Sequence, residues 1–157
     1  MLDIDEEFRN LVAVLDEQNI EYALCGGMAM AVYQRPRMTI DIDLLIQEES
    51  LEKTLAIAKV QGYTIRGKDM SFAKGAVEIR RVSKIDSAAG DLLPLDLILV
   101  TPSLLPVWES RLQAEWEGGT FSVVSRAGLI ALKQLRSSGQ DLDDIKALEE
   151  LNQDAQS

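Results

Sequence analysis

The chain has 157 residues, 46% of them hydrophobic and 27% charged, a composition that fits one soluble globular domain with a single core. It holds no histidine and one cysteine, Cys25, which excludes His-based triads, Cys/His zinc sites and disulfide frameworks. Any chemistry is left to carboxylates, Lys, Arg, hydroxyls, backbone amides or a metal held by oxygens. The formal net charge of −10 opposes general binding to a polyanion but leaves room for a small basic cleft or a basic partner protein.

No apolar run approaches the roughly 20 residues that span a bilayer. The acidic start at Asp3, Asp5, Glu6 and Glu7 also lacks the layout of a signal peptide, so the expected location is the cytoplasm, with no membrane partner. In chain order, Ile4, Phe8, Leu11, Val12 and Leu15 fall at helical spacing and predict an amphipathic helix. A short strand, Tyr22 to Cys25, follows. Gly26 and Gly27 are predicted to break it at a turn, and Met28 to Val32 reads as a helix that Pro36 stops. Cys25 lies in an apolar stretch and reads as core filler.

Thr39 to Ile46, T-I-D-I-D-L-L-I, reads as a strand with Thr39, Asp41, Asp43 and Leu45 on one face. Glu48 to Val60 is a predicted helix, Tyr63 to Arg66 a short strand and Lys68 to Gly75 a loop. Ala76 to Val82 and Leu92 to Val100 are predicted strands around an acidic loop, Asp86 to Asp91. Beyond Pro102 come a helical turn, a stretch between Trp108 and Trp116 with no clear period, and a late strand, Phe121 to Val124. Two helices then follow, Arg126 to Leu135 and Leu142 to Leu151.

Residues two apart on a strand point the same way, about 6.5–7 Å apart, so Asp41 and Asp43 can reach metal above one face. Two unpaired carboxylates there are costly, and a hard divalent cation relieves the cost. Asp96, the one charge in the apolar strand L-L-P-L-D-L-I-L-V, is the candidate third ligand if its strand lies beside that of Asp41 and Asp43. The alternative for Asp96 is a buried ion pair with an arginine such as Arg80 or Arg81. The expected metal is magnesium as two ions, with manganese possible. Gly26 and Gly27 would let backbone approach a phosphate. Trp108 and Trp116 could stack a base, but core packing is the commoner use.

The run L-C-G-G-M-A-M-A-V-Y-Q-R-P-R-M-T-I-D-I-D-L-L-I resembles the signature of the nucleotidyltransferase superfamily, whose fold is shared with DNA polymerase β, and above all its small bacterial branch of abortive-infection toxins. Gly26, Gly27, Arg37, Thr39, Asp41 and Asp43 match the pattern. The family's third carboxylate falls on Asp96, and its C-terminal motifs match L-I-A-L-K at Leu129 to Lys133 and D-L-D-D-I at Asp141 to Ile145. Ser137-Ser138-Gly139-Gln140 departs from the Gly-Arg usual before that last motif, and the basic residue expected after it is Lys146.

The resemblance implies an α/β nucleotidyltransferase fold, a mixed sheet flanked by helices with a short C-terminal helical tail. One domain would fill residues 1–157, with a core to about 124 and helices from about 125 to 152. It also implies metal-dependent transfer of a nucleoside monophosphate from a nucleoside triphosphate such as ATP, with pyrophosphate released. Asp41, Asp43 and Asp96 would be catalytic and hold metal; Gly26, Gly27, Arg37, Thr39 and Lys133 would bind the nucleotide. The acceptor could be tRNA, protein or a small molecule, and a toxin would have an antitoxin partner. A non-catalytic binding protein on the same fold is the remaining alternative.

Overall fold

The structure is a computed structural model that describes residues 2–33, 41–136, 145–146 and 148–151. Arg37 and Thr39, the first part of the predicted Thr39–Ile46 strand, and Asp141 and Asp144 lie outside the described residues.

The N-terminal helix α1 (Ile4–Glu17) is capped by Asp3, whose carboxylate accepts from the amides of Asp5 and Glu6. Its stripe of Phe8, Leu11, Val12 and Leu15 is buried, as the periodicity predicts. Strand β1 (Tyr22–Cys25) runs straight into α2 (Gly26–Val32), so the two glycines form the first turn of the helix rather than a separate turn. Strand β2 (Ile42–Ile46) is buried on both faces. Asp41 stands at a bend just before it, which corrects the longer strand expected from the sequence.

A short 3-10 turn over Glu48–Ser50 leads into α3 (Leu51–Val60) and then β3 (Tyr63–Arg66). The predicted loop after it contains a further strand, β4 (Met70–Phe72), three residues long and half exposed, too short to show a period. β5 (Val77–Asp86) and β6 (Asp91–Leu99) form a long hairpin whose ends, Asp86 and Asp91, are still paired. α4 (Leu105–Glu109) is followed by β7 (Leu112–Trp116), missed by the sequence reading because it is an edge strand with little buried surface. β8 (Gly119–Val123) and α5 (Arg126–Arg136) close the described core, and residues 145–146 and 148–151 are helical.

One mixed sheet results, in the order β3-β5-β6-β2-β1-β8-β7, with β4 also on β5. β2 pairs parallel with β6 and antiparallel with β1, and β5 pairs antiparallel with β6. The central strands run through the core: Ile42, Leu44, Leu95 and Leu97 are fully buried. On their face of the sheet, Glu7 of α1 takes Lys84 of β5 and the Tyr63 hydroxyl of β3. By alternation along β5, Arg81 lies on the opposite face.

The two tryptophans are packing residues. Trp108 is buried beneath the Arg111 guanidinium, 3.7 Å above its ring, and Trp116 meets Phe8 edge-on at 5.5 Å between centroids. Cys25 is buried in the core, as its apolar neighbours suggested.

Candidate active site

Strand register assembles the site. Asp43 stands opposite Asp96 in the β2–β6 pair, Arg81 opposite Asp96 in the β5–β6 pair, and Cys25 opposite Asp43 in the β1–β2 pair. Residues in register share a face, so Arg81, Asp96, Asp43 and Cys25 form one row across four strands. The adjacency of the Asp43 and Asp96 strands, an inference at the level of sequence, is therefore present. Asp41, one step before β2, turns its carboxylate to the same place: Asp41, Asp43 and Asp96 each offer an oxygen within 4.8 Å of the others.

Asp43 and Asp96 are only 5% and 4% exposed. Burial, and then the charges of Asp41 and Asp96, pushes the Asp43 carboxyl up to about 8, while Arg136 and Lys133 draw it down. Burial also pushes the Cys25 thiol well up, with Asp43 adding to the effect, so this cysteine stays a neutral core group whose Sγ faces the Asp43 carbonyl at 3.5 Å.

Asp96 has a partner the metal reading did not include. Arg81 grips it with a two-pronged fork, Nε to Oδ1 at 2.6 Å and Nη2 to Oδ2 at 2.8 Å. The ion-pair alternative for Asp96 and the three-carboxylate cluster thus coexist in one arrangement. A carboxylate presents about four lone-pair sites, and the fork occupies two, so Asp96 keeps oxygen lone pairs for a further ligand. The bond to Asp96 holds the Arg81 guanidinium above its ordinary value against burial, and the charges of all three aspartates add to that.

Gly26 has a more specific task than flexibility in a turn. Its φ of +68° is in the left-handed region, and a Cβ built on it would fall on the Asp43 carboxylate, 2.6 Å from Cγ. The absent side chain is the space that Asp43 fills. Gly27 is buried in the same helical turn.

Lys133 is 3% exposed on α5, which rules out a solvated surface lysine, and its charge reaches Asp43. Arg136, one helical turn further on, acts on Asp43 more strongly still, and its guanidinium lies 5.9 Å from the Phe72 ring centre. Arg136 was missed from the sequence; its signal is the i, i+3 spacing from Lys133, which puts both cations on one helix face. Lys146, the basic residue after the last motif, is exposed.

None of the described helices is long and apolar enough to cross a membrane. The fold is shared with solved structures at 15% identity, a level at which likeness is one of fold. A Thermotoga maritima protein assigned as a nucleotidyltransferase superposes with a TM-score of 0.59, covering 98% of this chain and 94% of that one at 15% identity. ANT(2″)-Ia in complex with adenylyl-2″-tobramycin gives 0.62, with 94% and 91% covered at 15% identity. The lincosamide antibiotic adenylyltransferase LnuA, lincomycin-bound, gives 0.57, with 93% and 96% covered at 15% identity. No curated protein matches by sequence. A family profile described as the nucleotidyl transferase AbiEii toxin of type IV toxin–antitoxin systems does match, over residues 9–155, nearly the whole chain. With the nucleotidyltransferase fold around it, that match places the chain in the AbiEii nucleotidyl transferase toxin family.

Proposed function

We propose that the chain transfers a nucleoside monophosphate from a nucleoside triphosphate to a hydroxyl acceptor, with release of pyrophosphate, at the Asp41, Asp43 and Asp96 cluster loaded with magnesium or manganese. The observation that carries this is the cluster itself: three carboxylates meet, two of them buried, and one of the buried pair is pushed up to about 8. An all-oxygen donor set of this charge suits a hard divalent cation. Asp41 and Asp43 would hold two ions and Asp96 one of them. When bound, the metal supplies Lewis-acid polarisation of the phosphoryl group and a more acidic acceptor hydroxyl.

The chain's own residues do the positioning. Asp96, with lone pairs left beyond the Arg81 fork, orients the acceptor hydroxyl and receives its proton. Lys133 and Arg136 approach from α5 and neutralise charge that gathers on the triphosphate as pyrophosphate departs. Backbone amides of Gly26 and Gly27 meet the phosphates beside Asp43, and Arg37 and Thr39, which precede Asp41 in the chain, complete the nucleotide set. Positioning and electrostatics supply most of the rate in phosphoryl transfer. We place this chemistry in the cytoplasm.

The test is incubation with each labelled nucleoside triphosphate, magnesium and a cell extract. Label in RNA, in protein or in a small molecule identifies the acceptor class, and label in none of them for any triphosphate refutes the proposal. Membership of a toxin family favours a cellular target whose modification stops growth and an antitoxin that relieves it. Expression should then arrest growth, and Asp41→Ala should abolish the arrest while leaving the protein folded.

A further inference from the structure

Arg81 is a cation bonded directly to Asp96, the carboxylate that would also take a metal. Its fork takes both Asp96 oxygens at 2.6 and 2.8 Å, and its charge is felt by Asp41 and Asp43 as well. The strand holds it there. The Arg81 carbonyl accepts from the Gly67 amide at 2.9 Å and from Arg66 Nη1 at 3.1 Å. A Cβ on Gly67 would press the Arg81 side chain, 3.2 Å from Cγ and 3.3 Å from Cβ, so the missing side chain at 67 gives Arg81 room to lie along the sheet toward Asp96. Arginine keeps its charge at any working pH, so this cation cannot step aside by losing a proton.

We propose that Arg81 is a built-in competitor for the metal site: it weakens binding of a bare divalent ion and makes full loading depend on the arrival of the triphosphate. This rests on the metal-dependent reading above. Two cations bonded to one carboxylate repel, and even with water-like screening a double and a single charge in contact with the same group change a binding constant about tenfold. A triphosphate brings negative charge and further oxygen ligands, which offset the repulsion. The fork also keeps Asp96 oriented while no metal is present, so the carboxylate is placed before the ion arrives.

The experiment measures Mn²⁺ binding to the full chain by electron paramagnetic resonance, with and without a non-hydrolysable ATP analogue, for wild type, Arg81→Gln, Arg81→Lys and Asp43→Asn. In Arg81→Gln, which retains hydrogen bonding without charge, Mn²⁺ binding without nucleotide tightens about tenfold, and the further gain from nucleotide shrinks by a similar factor. Arg81→Lys retains the charge and stays within about threefold of wild type. Unchanged or weaker Mn²⁺ binding in Arg81→Gln overturns the proposal, as does an equal shift in Arg81→Lys, which would make fork geometry the cause. Circular dichroism confirms that each variant is folded; should Arg81→Gln not fold, Arg81→Met gives the same charge test. No Mn²⁺ binding by wild type, or binding unaffected by Asp43→Asn, overturns the metal reading itself and is distinguishable from failure of the Arg81 proposal alone.

Discussion

Asp43→Asn should make the metal-free protein more stable at neutral pH. The Asp43 carboxyl sits at about 8 in the fold against 3.8 in an unconstrained chain. Its folded value is the higher one, so its contribution to stability is fullest below about pH 4 and is lost as pH rises toward about 8. At about pH 7.5 the loss is roughly 5 kcal/mol, at about 1.4 kcal/mol for each unit of displacement. Asparagine has nearly the same shape and fits beside Gly26, but its buried amide needs partners and costs about 1–3 kcal/mol. The net gain is about 2–4 kcal/mol, or roughly 5–10 °C in Tm for a chain of this size.

The assay is thermal unfolding in EDTA from pH 5 to pH 8, repeated with magnesium. At about pH 5 the carboxyl's loss falls to about 2 kcal/mol, the amide's cost cancels it, and the two proteins should melt together. Magnesium should raise the wild-type Tm at pH 8 and leave Asp43→Asn unmoved, since a cation that binds only the folded state stabilises it by mass action. An Asp43→Asn protein that melts below wild type in EDTA at pH 8, or a difference that does not depend on pH, would refute the account of Asp43 as a carboxylate strained by burial and by its neighbours.

Gly26→Ala should destabilise the fold by about 2–3 kcal/mol, from the left-handed backbone and the collision with the Asp43 carboxylate, read by urea unfolding. A loss under about 0.5 kcal/mol would show that the helix turn can shift. Lys133→Ala should weaken nucleotide binding at least about tenfold in equilibrium dialysis, whereas Lys146→Ala, at an exposed position, should match wild type. Equal effects would remove Lys133 from the site. Glu7→Ala strips partners from the Tyr63 hydroxyl and from Lys84 and should cost about 2–3 kcal/mol in urea unfolding without altering Mn²⁺ binding. A changed metal affinity there would mean the two faces of the sheet are coupled.

What could be read in the sequence was what repeats along the chain. The helical spacing of Phe8, Leu11, Val12 and Leu15, the strand Tyr22–Cys25 and the apolar run around Asp96 are local patterns, and all three occur as read. β4 and β7 were lost because edge strands bury too little surface to impose a period, and Leu112 is 42% exposed. Arg81 was foreseen only as one of two possible partners for Asp96. The choice between Arg80 and Arg81 is a matter of which face of β5 turns toward β6's aspartate, and that is fixed by register, a relation between strands far apart in sequence. Arg136 was overlooked for a similar reason: its meaning lies in α5 being brought against the acid row.

Register also explains why the acids are costly where they are. β2 has β6 on one side and β1 on the other, so Asp43 cannot reach water sideways past an edge, and α2 closes over it at Gly26. A surface cluster of three aspartates would be relieved by solvent; this one is relieved by Arg81, Lys133 and Arg136 and by a proton held on Asp43 up to about pH 8. A divalent cation replaces that proton, so metal loading should release close to one proton for each protein at about pH 7, measurable by titrating the metal in buffers of different ionisation enthalpy. Asp43→Asn should release none. Proton release from the variant equal to that of wild type would place the displaced proton elsewhere and separate Asp43's burial from metal binding.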